Sequence, residues 1–272
     1  MRAALTVFRY ILLGDLRYRS EFLWSTLNPL MWILPAILMV HFGLGEGLQS
    51  GPGTPVNYVA FFLTGAIYWN YVEAVWSLCF YLQEAMEGGV LEALWATTVP
   101  RVALFGGWSL SKLFSVTLQS AAGLVLVVLA MVGAPGQALA PVTPVQAAQA
   151  TLAALASIVA SYGLAFLLVG LSLVYRDVES IISMVGNAAP FIGGMAFSVT
   201  LLPLPLQVIS FLFPFTWGLD LFRGIVFGSP TILAPAGELT VLVALSVFYV
   251  AAGYLGFVYM EKTARRCGLV AH

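Results

Sequence analysis

Between Val145 and Tyr175 the chain reads VQAAQATLAALASIVASYGLAFLLVGLSLVY, a run without one Asp, Glu, Lys, Arg or His. A hydrocarbon core about 30 Å thick is crossed by roughly 20 apolar residues in a helix rising 1.5 Å per residue. This run therefore spans a bilayer with residues to spare. The same bias holds throughout: 61% of the 272 residues are hydrophobic and 8% are charged, against about 25% charged in ordinary soluble domains. The expected fold class is an all-α polytopic membrane protein, a single transmembrane domain over residues 1–272.

Six stretches meet the length criterion: Leu23–Leu44, Val56–Tyr81, Val102–Val132, Val145–Tyr175, Ser180–Leu201 and Leu239–Met260. The third and fourth are longer than a bilayer requires, which predicts tilt or protrusion. Basic residues collect in cytoplasmic loops, and here they are segregated. Arg2, Arg9, Arg17 and Arg19 precede the first span, Arg101 and Arg176 fall in alternate connections, and Lys262, Arg265 and Arg266 follow the last, whereas Gly45–Pro55 and Gly133–Pro144 contain neither Lys nor Arg. Both termini are therefore expected in the cytoplasm, with the protein integral to the plasma (inner) membrane. About 22 residues, several charged, precede the first full-length apolar run, so no cleavable leader is expected. Cys79 and Cys267 both fall at the cytoplasmic side in this topology, where a structural disulfide is not expected. A formal net charge of −1 argues against a nucleic-acid partner.

Between the spans, residues 3–21 read as an interfacial helix. Arg2, Thr6, Arg9 and Arg17 fall in one stripe and Leu5, Phe8, Leu12 and Leu16 in the next, which places Arg9 and Arg17 toward lipid phosphates; a cytosolic extension of the first span is the alternative. The segment 83–101 is expected on the cytoplasmic side as a short helix, Val90, Leu91, Leu94 and Trp95 forming an apolar face between Gly88-Gly89 and Pro100. Such a face serves a partner or the protein's own interface. Residues 202–238 hold two apolar runs, Leu204–Phe213 and Trp217–Phe227, each too short to cross and interrupted by Pro203, Pro205, Pro214 and Gly218, so an outer re-entrant helical hairpin between spans five and six is expected. Within it Asp220 and Arg223, one turn apart, are expected to form an ion pair. Ala156, Gly163 and Gly170 recur at seven-residue intervals, a small-residue seam that serves either packing within the bundle or a subunit interface.

The chain offers no energy source of its own. Neither lysine sits in a phosphate-binding loop, for Ser111 precedes Lys112 and Glu261 precedes Lys262. His41 and His272 are isolated, and no Cys pair has metal spacing, so no metal site is expected. Glu73, beside Asn70 and Tyr71 in span two, is the clear intramembrane ionisable candidate, as a substrate or proton site or as a neutral hydrogen-bonded carboxyl. The aromatics of that span, among them Tyr58, Phe61, Trp69 and Trp76, either line a pathway or pack between helices.

The residues carry a resemblance. The segment Glu87-Gly-Gly-Val-Leu-Glu-Ala-Leu-Trp-Ala-Thr-Thr-Val-Pro-Arg101 resembles the coupling-helix loop of the membrane subunits of type-2 ATP-binding-cassette exporters. Tyr175-Arg176-Asp177 is similar to that family's aromatic-Arg-Asp turn, and Pro214-Phe-Thr-Trp-Gly-Leu-Asp-Leu-Phe-Arg223 to its Pro-x-Thr-x-x-x-Asp-x-x-Arg pattern. With the amphipathic start and the six spans in the same order, the resemblance covers nearly the whole chain. It implies a permease subunit that pairs with a second copy or homologue and sits on cytosolic ABC ATPase subunits. ATP and magnesium would bind in those partner chains and no cofactor in this one. Glu87, Gly89, Leu91, Glu92, Leu94 and Pro100 would couple to the ATPase, Arg9 and Arg17 would belong to the interfacial helix, and Arg176 and Asp177 would cap the inner ends of spans four and five. Val90 and Trp95 depart from the family's usual residues.

The expected function is then the permease subunit of an ATP-driven exporter moving a lipophilic or lipid-linked substrate, a drug, lipid or glycan, and not an enzyme. An ion-coupled secondary carrier using Glu73 is the alternative. An intramembrane enzyme ranks last, for want of paired carboxylates, a His cluster or an activated nucleophile.

Overall fold

A computed structural model describes residues 2–17, 58–88, 101–132, 143–172 and 178–266, with Leu38, Phe42 and Val174 besides. Over these residues the chain is helical and contains no strand. In order, the elements are α1 (Arg2–Arg17), α2 (Tyr58–Glu87), α3 (Arg101–Val132), α4 (Pro144–Ser172), α5 (Val178–Ile192), a 3₁₀ turn (Val199–Leu201), α6 (Leu204–Leu212), α7 (Pro214–Phe227) and α8 (Pro235–Arg266). Two helices among the described residues are long and apolar enough to cross a membrane, Pro144–Ser172 and Pro235–Thr263; the bent pair α6–α7 is a third if it forms one span. The first expected span, Leu23–Leu44, lies almost wholly outside the described residues.

α4 begins with a reciprocal cap. Thr143 Oγ1 accepts the Gln146 N–H at 3.3 Å while Gln146 Oε1 accepts the Thr143 N–H at 2.9 Å, which satisfies donors that a helix start leaves open. The small-residue seam of α4 is spent inside the chain, against α8. A Cβ on Gly163 would run into the backbone of Tyr249 and Val250, and one on Gly253 into the backbone of Gly163. At Gly170 a Cβ would stand 3.0 Å from Met260 Sδ and 3.1 Å from Phe257 Cα. Ser246 Oγ donates across the crossing to the Ala156 carbonyl at 2.9 Å. Backbones that close exchange dispersion contacts that larger side chains would prevent.

α2 runs through the middle of the bundle. Its Phe61, Phe62, Trp69, Val75, Trp76 and Leu78 are buried with Phe105 and Trp108 of α3, Ala165 and Val169 of α4, Ile182 of α5 and Phe215 of α7. Trp69 meets Phe215 edge to face at 5.4 Å, and Tyr81 stacks on Trp108 at 5.3 Å. The aromatic richness of this helix is thus largely core packing. α1 lies against α3, with the Phe8 ring edge-on to Phe114 at 6.1 Å.

Two expectations are corrected. The run Ser180–Leu201 is not one continuous helix, because α5 stops at Ile192 after 15 residues, about 22 Å and short of a bilayer core. Pro190 lies in its last turn, Gly194 takes φ +87°, and the Met195 N–H closes the end on the Pro190 carbonyl at 2.9 Å. Positive φ is open to glycine at no steric cost. The second correction concerns Gly218, which does not interrupt a helix but sits inside α7, while Pro214 starts α7 at a first-turn position where its missing N–H costs nothing. α6 and α7 meet at Phe213 with a bend of 95°, a corner across which Trp217 Nε1 donates to the Phe211 carbonyl at 3.0 Å.

Candidate functional site

Charges in so apolar a chain must be solvated by the protein itself, and Arg223 shows how. Only 3% exposed, it extends from α7 into the break after α5. Nη1 donates to the Gly194 carbonyl at 2.6 Å, and Nη2 donates to Met195 at 2.7 Å and to Phe61 at 2.9 Å. The guanidinium carbon lies 3.6 Å from the centroid of the Phe61 ring, a cation–π stack. Nε has no partner. Gly65 on α2 makes the room, since a Cβ there would collide with Arg223 and the Met195 carbonyl. Tyr58, at the start of α2, adds a hydrogen bond from its hydroxyl to the Ala196 carbonyl at 2.8 Å. The carbonyls released where α5 breaks are thereby satisfied by side chains from α2 and α7, as buried backbone acceptors require.

Asp220 and Arg223 lie on the same stretch of α7 and feel each other's charge, yet the expected ion pair is realised differently: each group spends its hydrogen bonds elsewhere. Asp220 Oδ2 accepts the Ile232 N–H at 2.8 Å and Glu238 Oε1 accepts the Leu233 N–H at 3.0 Å. Because those amides are neighbours in the chain, the two carboxyls stand side by side. The connection from α7 to α8 is thus gripped at consecutive amides by acids from both helices. Glu238 was not singled out from the sequence; its signal is an acid placed directly before the apolar run Leu239–Met260.

Glu73 stands apart from this knot. It is exposed on α2, one turn from the half-buried Asn70, and makes no hydrogen bond or ion pair with any described residue. Next to it Tyr71 reaches α3, its hydroxyl donating to Thr117 Oγ1 at 3.3 Å. Arg9 and Arg17 are exposed on α1, and residues 18–21 of the expected interfacial helix lie outside the described residues. Glu87 is the last residue of α2, whose end is closed by the Gly88 N–H on the Glu84 carbonyl at 2.9 Å. Gly89, Leu91, Glu92, Leu94 and Pro100 of the coupling segment, and Arg176 and Asp177 of the inner turn, lie outside the described residues. Among the described residues no three His, Cys, Asp or Glu side chains gather as a metal site would need.

No protein-family model matches the chain, and comparison with curated proteins finds no relative.

Proposed function

We propose that this chain is the membrane-embedded permease subunit of an ATP-driven exporter of the type-2 ATP-binding-cassette kind, moving a lipophilic or lipid-linked substrate, a drug, lipid or glycan, out of the cytoplasm or inner leaflet. The observation that carries the reading is the order of three segments along an apolar chain with no nucleotide site of its own. They are the Gly-Leu-Glu-rich segment after α2, Tyr175-Arg176-Asp177 between α4 and α5, and the Pro214–Arg223 run. The helix boundaries are in keeping with that order: α2 ends at Glu87, α4 and α5 flank residues 173–177, and Pro214–Arg223 makes up most of α7. In this reading six apolar segments, the fifth of them the short α5 with the break that follows it, lie in the plasma membrane with both termini cytoplasmic, and α1 rests on the inner surface with Arg9 and Arg17 toward lipid phosphates. The corner α6–α7 forms part of an outer re-entrant segment. The segment from Glu87 through Gly89, Leu91, Glu92 and Leu94 to Pro100 seats in a groove of an ATPase subunit, where ATP and magnesium bind, and a second permease copy or homologue completes the assembly. Arg176 and Asp177 cap the inner ends of spans four and five.

Extraction of the tagged chain from its native membranes in mild detergent, with mass spectrometry of what accompanies it, tests the reading. A stoichiometric cytosolic ATPase is expected, and its loss on Leu91→Asp; a chain that purifies alone in several gentle detergents would sink the proposal. One observation favours a second reading, an ion-coupled carrier: the exposed carboxyl of Glu73 on an apolar helix, without a partner among the described residues. In liposomes holding this chain alone, pH-dependent uptake abolished by Glu73→Gln is the result that reading requires.

A further inference from the structure

We propose that Asp220 and Glu238 form a proton-binding pair that latches the end of α7 to the start of α8. Their geometry brings them face to face. Each is oriented by one of two consecutive amides of the same connection, Asp220 by Ile232 and Glu238 by Leu233, which sets the two carboxyls side by side. Glu238 has no solvent exposure, and its second oxygen, Oε2, is buried without a partner. A buried carboxylate oxygen left without a donor is costly, and two ionised carboxylates in contact repel. One proton between the acids removes both penalties, as a single O–H···O bond from one carboxyl to the other.

The surrounding charges agree with one proton. α7 supplies Arg223, which acts on Asp220, and α2 supplies Tyr58, which acts on Arg223. α4 and α6, which also pack against α7, contain no Asp, Glu, Lys, Arg or His. With one shared proton the acids carry a single negative charge, which balances Arg223; without it one buried charge has no counterpart among the described residues. A divalent cation suits the place less well, since it seeks six or more oxygen ligands and would sit in the field of a guanidinium. The sign follows directly. The paired acids keep a proton that separated carboxyls would release, so the latch's stabilisation is complete below the ordinary carboxylate range and is lost as pH rises through the range in which the folded pair ionises.

The test uses the full-length chain in detergent or lipid nanodiscs, independently of any transport partner. The wild-type unfolding midpoint is expected to fall by roughly 2–4 °C, the equivalent of about 1 kcal/mol, between about pH 6 and about pH 9. Glu238→Gln should flatten that slope, because its amide oxygen still accepts the Leu233 N–H while its NH₂ donates to Asp220 at every pH. Equal slopes in both proteins would overturn the proposal. Should the variant fail to fold, the infrared carbonyl band of a protonated carboxyl decides on the Glu73→Gln background, which removes the acid near the middle of α2: a band present at neutral pH that bleaches on alkaline titration supports the latch, and no such band overturns it. Stabilisation by millimolar calcium or magnesium that a chelator reverses would also overturn it, in favour of a cation.

Discussion

Arg223 is a charge dissolved in backbone dipoles. Three carbonyls and an aromatic face take the place of water around its guanidinium, and two of those carbonyls, Gly194 and Met195, are free because α5 ends at Ile192, just after Pro190 and before the positive-φ Gly194. Arg223→Met keeps the bulk of the side chain and removes every donor, leaving buried acceptors unpaired at about 1 kcal/mol or more each. A loss near 3 kcal/mol follows, read as a drop of roughly 6–12 °C in the unfolding midpoint of the purified chain. Arg223→Lys should recover only part of it, since an ammonium has neither the planar fork nor the stacking face. Gly65→Ala checks the same knot from the opposite side: its methyl meets the guanidinium and a carbonyl, and a destabilisation of about 1–3 kcal/mol is expected, as for overpacked cores. A midpoint unchanged by Gly65→Ala would mean that the Arg223 fork is not held against α2. The importance of Asp220 and Arg223 was legible from two charges in an apolar run, but their partners were not, because carbonyls carry no side-chain signature and Glu238 lies 18 positions from Asp220.

At the scale of the element, the α4–α8 crossing is the contact most sensitive to volume. Gly163→Leu must push backbone away from backbone, and it is expected to abolish the folded state in detergent or to lower its midpoint beyond the drop for Arg223→Met. Gly106→Ala is its counterpart. That glycine lies exposed in α3 with open space where a Cβ would stand, so the substitution should stabilise by about 0.5–1 kcal/mol through helix propensity alone; thermal unfolding of the two variants side by side checks both signs. The seam at Ala156, Gly163 and Gly170 was visible as a period, but a period does not name its partner. Pro214 illustrates the converse problem: as the first residue of a helix and as a break within one it looks the same in sequence, and the turn before it, with its bend of 95°, decides which.

For the molecule as a whole, the proposed exporter assembly predicts that Glu92→Arg and Leu91→Asp leave the purified chain folded while abolishing ATP-dependent transport in reconstituted vesicles; transport at the wild-type rate would remove the coupling role from that segment. Composition and the length of apolar runs were enough to read a helical membrane protein, because a bilayer imposes a minimum length and satisfies no backbone group, and such a constraint is written locally along the chain. The positions of α2, α3, α4 and α8 were legible for the same reason. Only the tertiary structure decided that the seam of α4 faces α8, that the aromatics of α2 are mostly core, that α5 stops halfway through its apolar run, and that Asp220 and Glu238 hold the consecutive amides of Ile232 and Leu233. Each of those outcomes depends on which distant backbone arrives within a few ångströms, a property of packing that no single run of residues contains.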